Sequence, residues 1–161
     1  MKASELFSQI RRDLMEVSGY IAQIEEARRT RARDPPGTLT YLGDYNYAAC
    51  SEILSRDMIT PDFRIDRGSV EKFELALDRY LNTYAPGNKE LKRYTSSVSL
   101  YLTFIAKKPL HPPEVPFSEE IRIVKNGEFY YCSGKGRFLQ DPSSLCRYCV
   151  CRPFIDGAAE Q

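Results

Sequence analysis

Apolar residues at Phe7, Ile10, Leu14, Val17, Ile21 and Ile24 recur three and four positions apart, the spacing that aligns side chains on one face of a helix. The stripe runs into Arg28, Arg29, Arg31 and Arg33 and meets Asp34-Pro35-Pro36-Gly37, where proline ends the backbone ladder. One helix from about Ser4 to Ala32 is expected, with cations opposing the dipole at its end and Glu25 four residues before Arg29. Thr38 to Tyr45 reads as a loop, and Tyr47, Cys50, Leu54 and Met58 predict a short second helix ended by Thr60-Pro61. Val70, Phe73, Leu77, Tyr80 and Tyr84 form a third stripe, with Ser69 as N-cap and Glu71 in the first turn, stopping at Pro86-Gly87-Asn88. Leu91, Tyr94, Val98, Tyr101 and Ile105 form a fourth, and the short connection makes the third and fourth helices an antiparallel hairpin. Tyrosines 80, 84, 94 and 101 are thereby expected in the core, each with its hydroxyl reaching the surface.

The pattern changes after Lys108. Pro109, Pro112, Pro113 and Pro116 forbid a regular helix and favour an extended connector. Ile121 to Lys125 and Glu128 to Cys132 then flank Asn126-Gly127, a dipeptide suited to a two-residue hairpin turn. Taking those two residues as the loop sets Ile123 opposite Tyr130 and Ile121 opposite Cys132. Ser133 to Gly136 reads as a turn, and Asp141 to Ser144 as a helix start leading into Leu145-Cys146-Arg147-Tyr148-Cys149. The predicted class is α+β in one domain spanning residues 1–161. It comprises a helical bundle over 4–108, a proline-rich connector over 109–119, and a hairpin with a cysteine-rich metal-binding segment over 120–154.

Composition sharpens this picture in two places. The 161 residues include 42% hydrophobic and 28% charged, enough for a real core, and the net charge of +1 gives no global preference for nucleic acid or acidic lipid. Residues 121–153, however, hold six basic residues (Arg122, Lys125, Lys135, Arg137, Arg147, Arg152) against Glu128 and Asp141, with Phe129, Tyr130, Tyr131, Phe138 and Tyr148 interleaved. That mixture offers one reading as a single-stranded nucleic-acid surface, and a plainer one in which the rings pack and the cations are solvated. The second place is sulfur: five cysteines, an odd number, beside one histidine. No apolar run of signal-peptide or membrane-spanning length occurs, so a reducing cytoplasmic setting without membrane insertion is expected.

Four cysteines fall in the order Cys132, thirteen residues, Cys146, two residues, Cys149, one residue, Cys151. Two thiolates in a C-x-x-C pair can converge on one cation, and a third at a strand end can join them. A tetrahedral site needs a fourth ligand, for which His111, Cys151 and Cys50 are candidates in that order. Cys151 would point away from Cys146 and Cys149 on a continuous helix, and Cys50 lies on an apolar stripe. Zinc suits such a site, and an iron-sulfur cluster uses the same thiolates. A thioredoxin-type role lacks the alternation of strands and helices it needs, and Cys/His nucleophilic catalysis explains less than a metal does. Gly134-x-Gly136 lacks the third glycine and the context of a phosphate loop.

The run Tyr101 to Pro112, then Asn126-Gly127 with Tyr130-Tyr131-Cys132, then Leu145-Cys146-Arg147-Tyr148-Cys149-Val150, resembles an uncharacterised family found mainly in methanogenic archaea. The resemblance covers about residues 100 to 152. It implies that His111, Cys132, Cys146 and Cys149 sit at matching positions, which favours His111 as fourth ligand. Cys151 is extra to the pattern, and Pro113-Glu114 and Ser133 depart from it. The resemblance implies no activity, though an anoxic cytoplasm rich in iron-sulfur enzymes raises the cluster alternative. The expectation is a zinc site, at Cys132, Cys146, Cys149 and His111, holding together a module for a protein partner. An iron-sulfur protein and a single-stranded nucleic-acid binder are the alternatives.

Overall fold

The computed structural model describes residues 1–31, 37–113 and 121–154. Helix α1 (Ala3–Glu16) buries Leu6, Phe7, Ile10 and Leu14, as the periodicity requires. The chain leaves helical geometry at Val17 (φ −112°, ψ 27°) and resumes as α2 (Ser18–Thr30), so the single long helix is in fact two. Ser18 and Gly19 are poor helix formers, and after the break Tyr20 meets Tyr94 edge-on at 5.8 Å.

Helix α3 (Thr38–Ser55) begins where a loop was expected. Its first turns are held by neighbours, not by propensity. Arg28 and Arg31 grip Asp44 at 2.7 and 3.2 Å, the Arg28 guanidinium lies 4.2 Å over the Tyr47 ring, and Tyr45 Oη donates to the Pro109 carbonyl at 2.8 Å. Met58 lies beyond the helix end and is exposed.

Helix α4 (Arg67–Tyr84) starts at Asp66, whose carboxylate accepts the Ser69 N–H at 2.8 Å and the Ser69 hydroxyl at 2.7 Å. The cap is therefore Asp66, three residues before the serine that was expected to serve. Its buried stripe is Val70, Phe73, Leu77 and Leu81, which leaves Tyr80 and Tyr84 outside the core. Helix α5 (Lys89–Leu100) is capped by Asn88, which accepts from Leu91 N–H at 3.0 Å. It continues as a fully buried π-helical turn, Tyr101–Ile105, in which Ala106 N–H reaches back to the Tyr101 carbonyl at 2.8 Å. Tyr94 and Tyr101 are buried as expected, Tyr101 packing on Phe7 with ring centroids 6.2 Å apart, but neither hydroxyl reaches the surface: Tyr94 Oη is enclosed without a hydrogen-bond partner among the described residues and Tyr101 Oη accepts from Arg56. Lys107, with φ of 52°, turns the chain away from the helix axis toward Leu110 and His111.

The hairpin forms, with a different register from the one predicted. Strand β1 (Ile123–Asn126) pairs antiparallel with β2 (Phe129–Cys132), placing Ile123 opposite Cys132 and Asn126 opposite Phe129. The two loop residues are Gly127 and Glu128, and only Gly127 has positive φ (60°). A loop needing one positive angle at its first position calls for glycine there, so Asn126 joins the strand. A short strand β3 (Arg152–Pro153), not foreseen in the sequence, runs parallel to β2 and gives sheet order β1-β2-β3. Between them lie a single turn of helix, α6 (Lys135–Phe138), and a 3-10 turn, Leu145–Arg147. The predicted connector is described only as far as Pro113; the rest of it, with Pro116, lies outside the described residues.

The core is split. A main cluster gathers Leu6, Phe7, Ile10, Cys50, Ile53, Phe73, Val98, Tyr101 and their neighbours from the helices, and Leu145 and Tyr148 pack onto it. Tyr148 stacks on Phe73 at 5.0 Å, docking the C-x-x-C loop against α4. The sheet has its own cluster of Ile123, Cys132 and Cys151, with Ile121, Tyr130 and Cys149 beside it. The chain is thus α+β, mainly helical with a small C-terminal sheet.

Candidate metal centre

Of the sequence-predicted ligands, Cys132 comes from the end of β2, Cys146 from the 3-10 turn, Cys149 from the residues after it, and His111 from the chain following the π turn. All four line one cavity of about 210 Å³ between the helices and the sheet, and Cys151 lines it too. Leu42 and Asn46 of α3 and Thr95 and Ser99 of α5 form the facing wall. Cys50 is elsewhere, fully buried in the main core, where burial pushes its thiol up to about 11. As the side chains stand, no three His, Cys, Asp or Glu groups among the described residues form a ready-made ligand set.

The local backbone is arranged around sulfur. Cys132 Sγ accepts from the N–H groups of Gly134 and Lys135, which partly offsets the burial that raises its thiol. The turn is close at Gly134, where a Cβ would stand 3.3 Å from the Ile121 side chain and press on it. The hydroxyl of Ser133 accepts from Arg122 N–H at 2.9 Å and fastens the same turn to the strand before it. Cys149 accepts from the Cys151 thiol and also from the N–H groups of Cys151 and Leu110, which together hold it down at about 6. Cys151 is raised, since it donates to Cys149 and is itself buried, so the two thiols share one proton. Cys146 N–H is capped by Ser144 Oγ at 3.1 Å. Burial lowers His111 and keeps its imidazole neutral, the form that carries a ligating lone pair.

Sequence reasoning counted Lys135 only as one basic residue among six. In the structure Lys135 is buried, lines the cavity, and donates from Nζ to the Cys149 carbonyl at 2.6 Å, close enough to favour a thiolate on Cys149. Its position three residues after Cys132 was the available signal. Two rings of the hairpin carry the protein's own cations, Arg152 3.5 Å over Phe129 and Lys125 5.7 Å over Tyr130, while Tyr131 meets Phe154; on α6, Arg137 lies 5.4 Å over Phe138.

The family described as an uncharacterized protein conserved in archaea, DUF2115, matches residues 2–153, nearly the whole chain. The chain belongs to this family. A UPF0305 protein of Methanocaldococcus jannaschii is 31% identical over 159 residues, covering 94% of this chain and 96% of its own. A UPF0305 protein of Methanothermobacter thermautotrophicus is 25% identical over 142 residues, covering 86% and 84%. One from Methanococcus maripaludis is 30% identical over 91 residues, covering 56% of this chain and 55% of its own. No solved structure matches. The resemblance drawn from residues 100–152 therefore extends across the DUF2115 chain. No helix among the described residues is long and apolar enough to cross a membrane.

Proposed function

We propose that this DUF2115 protein binds one structural zinc ion through Cys132, Cys146, Cys149 and His111, and that the metal fastens the C-terminal sheet to the helical part of a binding module. The observation that carries the reading is the convergence of these four residues, from three separate stretches of chain, on one cavity. Two further features support it. Backbone N–H groups two and three residues beyond Cys132, and two beyond Cys149, donate to the sulfurs, an outer shell that favours thiolates and orients them. Three thiolates around a divalent ion also leave one excess negative charge, and the buried Lys135 supplies one positive charge beside it. Replacing the neutral imidazole by a fourth thiolate would leave a second charge unmatched, which ranks His111 ahead of Cys151.

An iron-sulfur cluster on the same thiolates is the rival, since it asks for the same soft ligands. Elemental analysis and a visible spectrum of anaerobically purified protein decide between them. Zinc in equimolar amount with no colour is expected, while a brown, iron-containing protein overturns zinc and a colourless protein free of metal overturns both. His111→Ala is expected to release the metal and Cys151→Ala to retain it; the opposite pair of results makes Cys151 the fourth ligand.

A further inference from the structure

Helix α4 carries a second face that its packing leaves unused. Lys72, Leu75, Ala76, Arg79, Tyr80, Thr83 and Tyr84 follow one another at helical spacing and, with Pro142, Ser143, Arg147 and Tyr148, line a groove of about 450 Å³. Its three charged residues, Lys72, Arg79 and Arg147, are all cations, and no carboxylate lines it among the described residues. Of the carboxylates near it in sequence, Glu71 and Glu74 flank Lys72 without lining the groove, and two others are engaged with local donors. Asp78 accepts from the Asn82 amide at 3.0 Å, and Asp141 accepts the N–H and hydroxyl of Ser143 at 2.9 and 2.7 Å. Lys72 and Arg79 make no close ion pair among the described residues, though Lys72 stands near enough to Asp66, and Arg147 to Asp141, to lower those carboxyls, and Arg147 also donates to the Asp141 carbonyl at 3.4 Å.

The same groove gathers exposed apolar surface. Leu75 is 53% exposed and Tyr84 66%, and the Tyr80 and Tyr84 rings lie 4.5 Å apart, tilted to one another. Nothing in the packing of α4 requires large side chains here, because its buried stripe is Val70, Phe73, Leu77 and Leu81. A groove whose charged lining is wholly cationic, set beside exposed rings, offers the two things an unpaired strand needs: charge for its phosphates and a platform for its bases. Lys72 and Arg79 are two turns apart, about 10 Å along the helix, within reach of successive phosphates of one strand. The hairpin, though richer in basic residues, already has Arg152 over Phe129, Lys125 over Tyr130 and Phe154 against Tyr131.

We propose that the groove between α4 and the segment Pro142–Tyr148 binds single-stranded nucleic acid, with Lys72, Arg79 and Arg147 on the phosphates and a base stacked on Tyr84. The site adjoins the sulfur cavity, sharing Tyr80 with it and resting on the loop that carries Cys146 and Cys149, so the metal content of every variant is measured alongside binding to tell a failure here from a failure there. The test is fluorescence anisotropy of a labelled oligouridylate of about 12 nucleotides with the full chain as purified, starting at about 50 mM salt. Binding is expected to weaken with salt at a logarithmic slope of about −2, as three phosphate contacts predict. Arg79→Gln should bring the slope to about −1.4, whereas Tyr84→Ala should weaken binding about tenfold and leave the slope unchanged. The double variant Arg122→Gln, Lys125→Gln should bind like the parent. Both groove positions are exposed, so unchanged thermal melting is expected to show that the variants fold.

Absence of binding at the lowest salt overturns the proposal. So does binding that survives both groove substitutions, or that falls with the hairpin pair instead. A duplex of equal length bound as tightly as the single strand removes the stacking role. Displacement of the strand by an acidic peptide at equal concentration assigns the groove to a protein partner instead.

Discussion

Removing the metal should melt the sheet and spare the helices. The cluster beneath the sheet has one buried side chain without sulfur, Ile123, with Ile121 and Tyr130 partly covered beside it. Burying Ile123 contributes about 1.5–3 kcal/mol, and the two partly covered neighbours add about as much again. Fixing the backbone of strands of four, four and two residues costs about 1–2 kcal/mol per residue. The shortfall is on the order of 10 kcal/mol, and a structural zinc site of the kind proposed would contribute about 10–16 kcal/mol, enough to close the gap. Hydrogen–deuterium exchange on zinc-loaded and chelator-treated protein reads this directly. With zinc, the amides of Ile123–Asn126 and Phe129–Cys132 should be protected; without it they should exchange at close to the open-chain rate, while α1, α4 and α5 keep their protection. Equal protection of the strands in both samples would refute the reasoning, because the sheet would then stand on its small apolar cluster alone. Loss of protection throughout the helices would refute it differently, by showing that the two cores fold as one.

Three simpler substitutions probe the frame. Cys50→Ala should leave metal content unchanged, and Cys50→Ser should destabilise by about 1–3 kcal/mol because an unpartnered hydroxyl enters the main core; metal loss in either would place Cys50 at the site after all. Asn88→Ala should cost about 1 kcal/mol in denaturant unfolding by removing the acceptor for Leu91 N–H, and no change would mean that solvent replaces the cap. Arg28 and Arg31 hold the Asp44 carboxyl below its usual range, so its stabilisation is present above the unfolded value near 3.9 and is lost as pH falls through the lower folded value. Asp44→Asn should therefore cost less than about 1 kcal/mol at pH 7, since the carboxylate is 40% exposed, and nothing once the Asp44 carboxyl is protonated in the folded and unfolded states alike. A penalty that persists in acid would point to packing instead of charge.

What could be read from the sequence depended on whether a residue's partners were near it in the chain. The stripes of α1, α4 and α5 announce themselves because their periodicity is local. The first half of α3 does not, since Arg28, Arg31 and Pro109 arrive from outside the segment to hold Asp44, Tyr47 and Tyr45. The N-cap of α4 was misplaced because Asp66 reaches forward to Ser69, and either residue type can cap. For the hairpin, Asn126-Gly127 satisfies the pattern of a turn in which both loop angles are positive, whereas the loop formed needs only one, and the register moves accordingly. The cavity residues were legible as residue types: Cys132, Cys146, Cys149 and His111 stood out by chemistry and spacing. Lys135 did not, because a buried ammonium differs from a solvated one only in what surrounds it. Tyr80 and Tyr84 misled for the converse reason, since a three-and-four spacing is satisfied equally well by the outer face of a helix.

The π turn at Tyr101–Ile105 makes the two parts of the molecule separable by length. A π turn carries one residue more than the α-helix it interrupts, and here that surplus lies among side chains of the main core. Shortening this stretch by one residue would let α5 continue as ordinary helix, and the following chain would leave it rotated by about 100°. The ladder of hydrogen bonds would survive such a deletion. His111 would swing away from the cavity it lines with Cys132, Cys146 and Cys149, so a single codon's worth of spacing divides a chain that merely folds from one that also keeps its imidazole at that cavity.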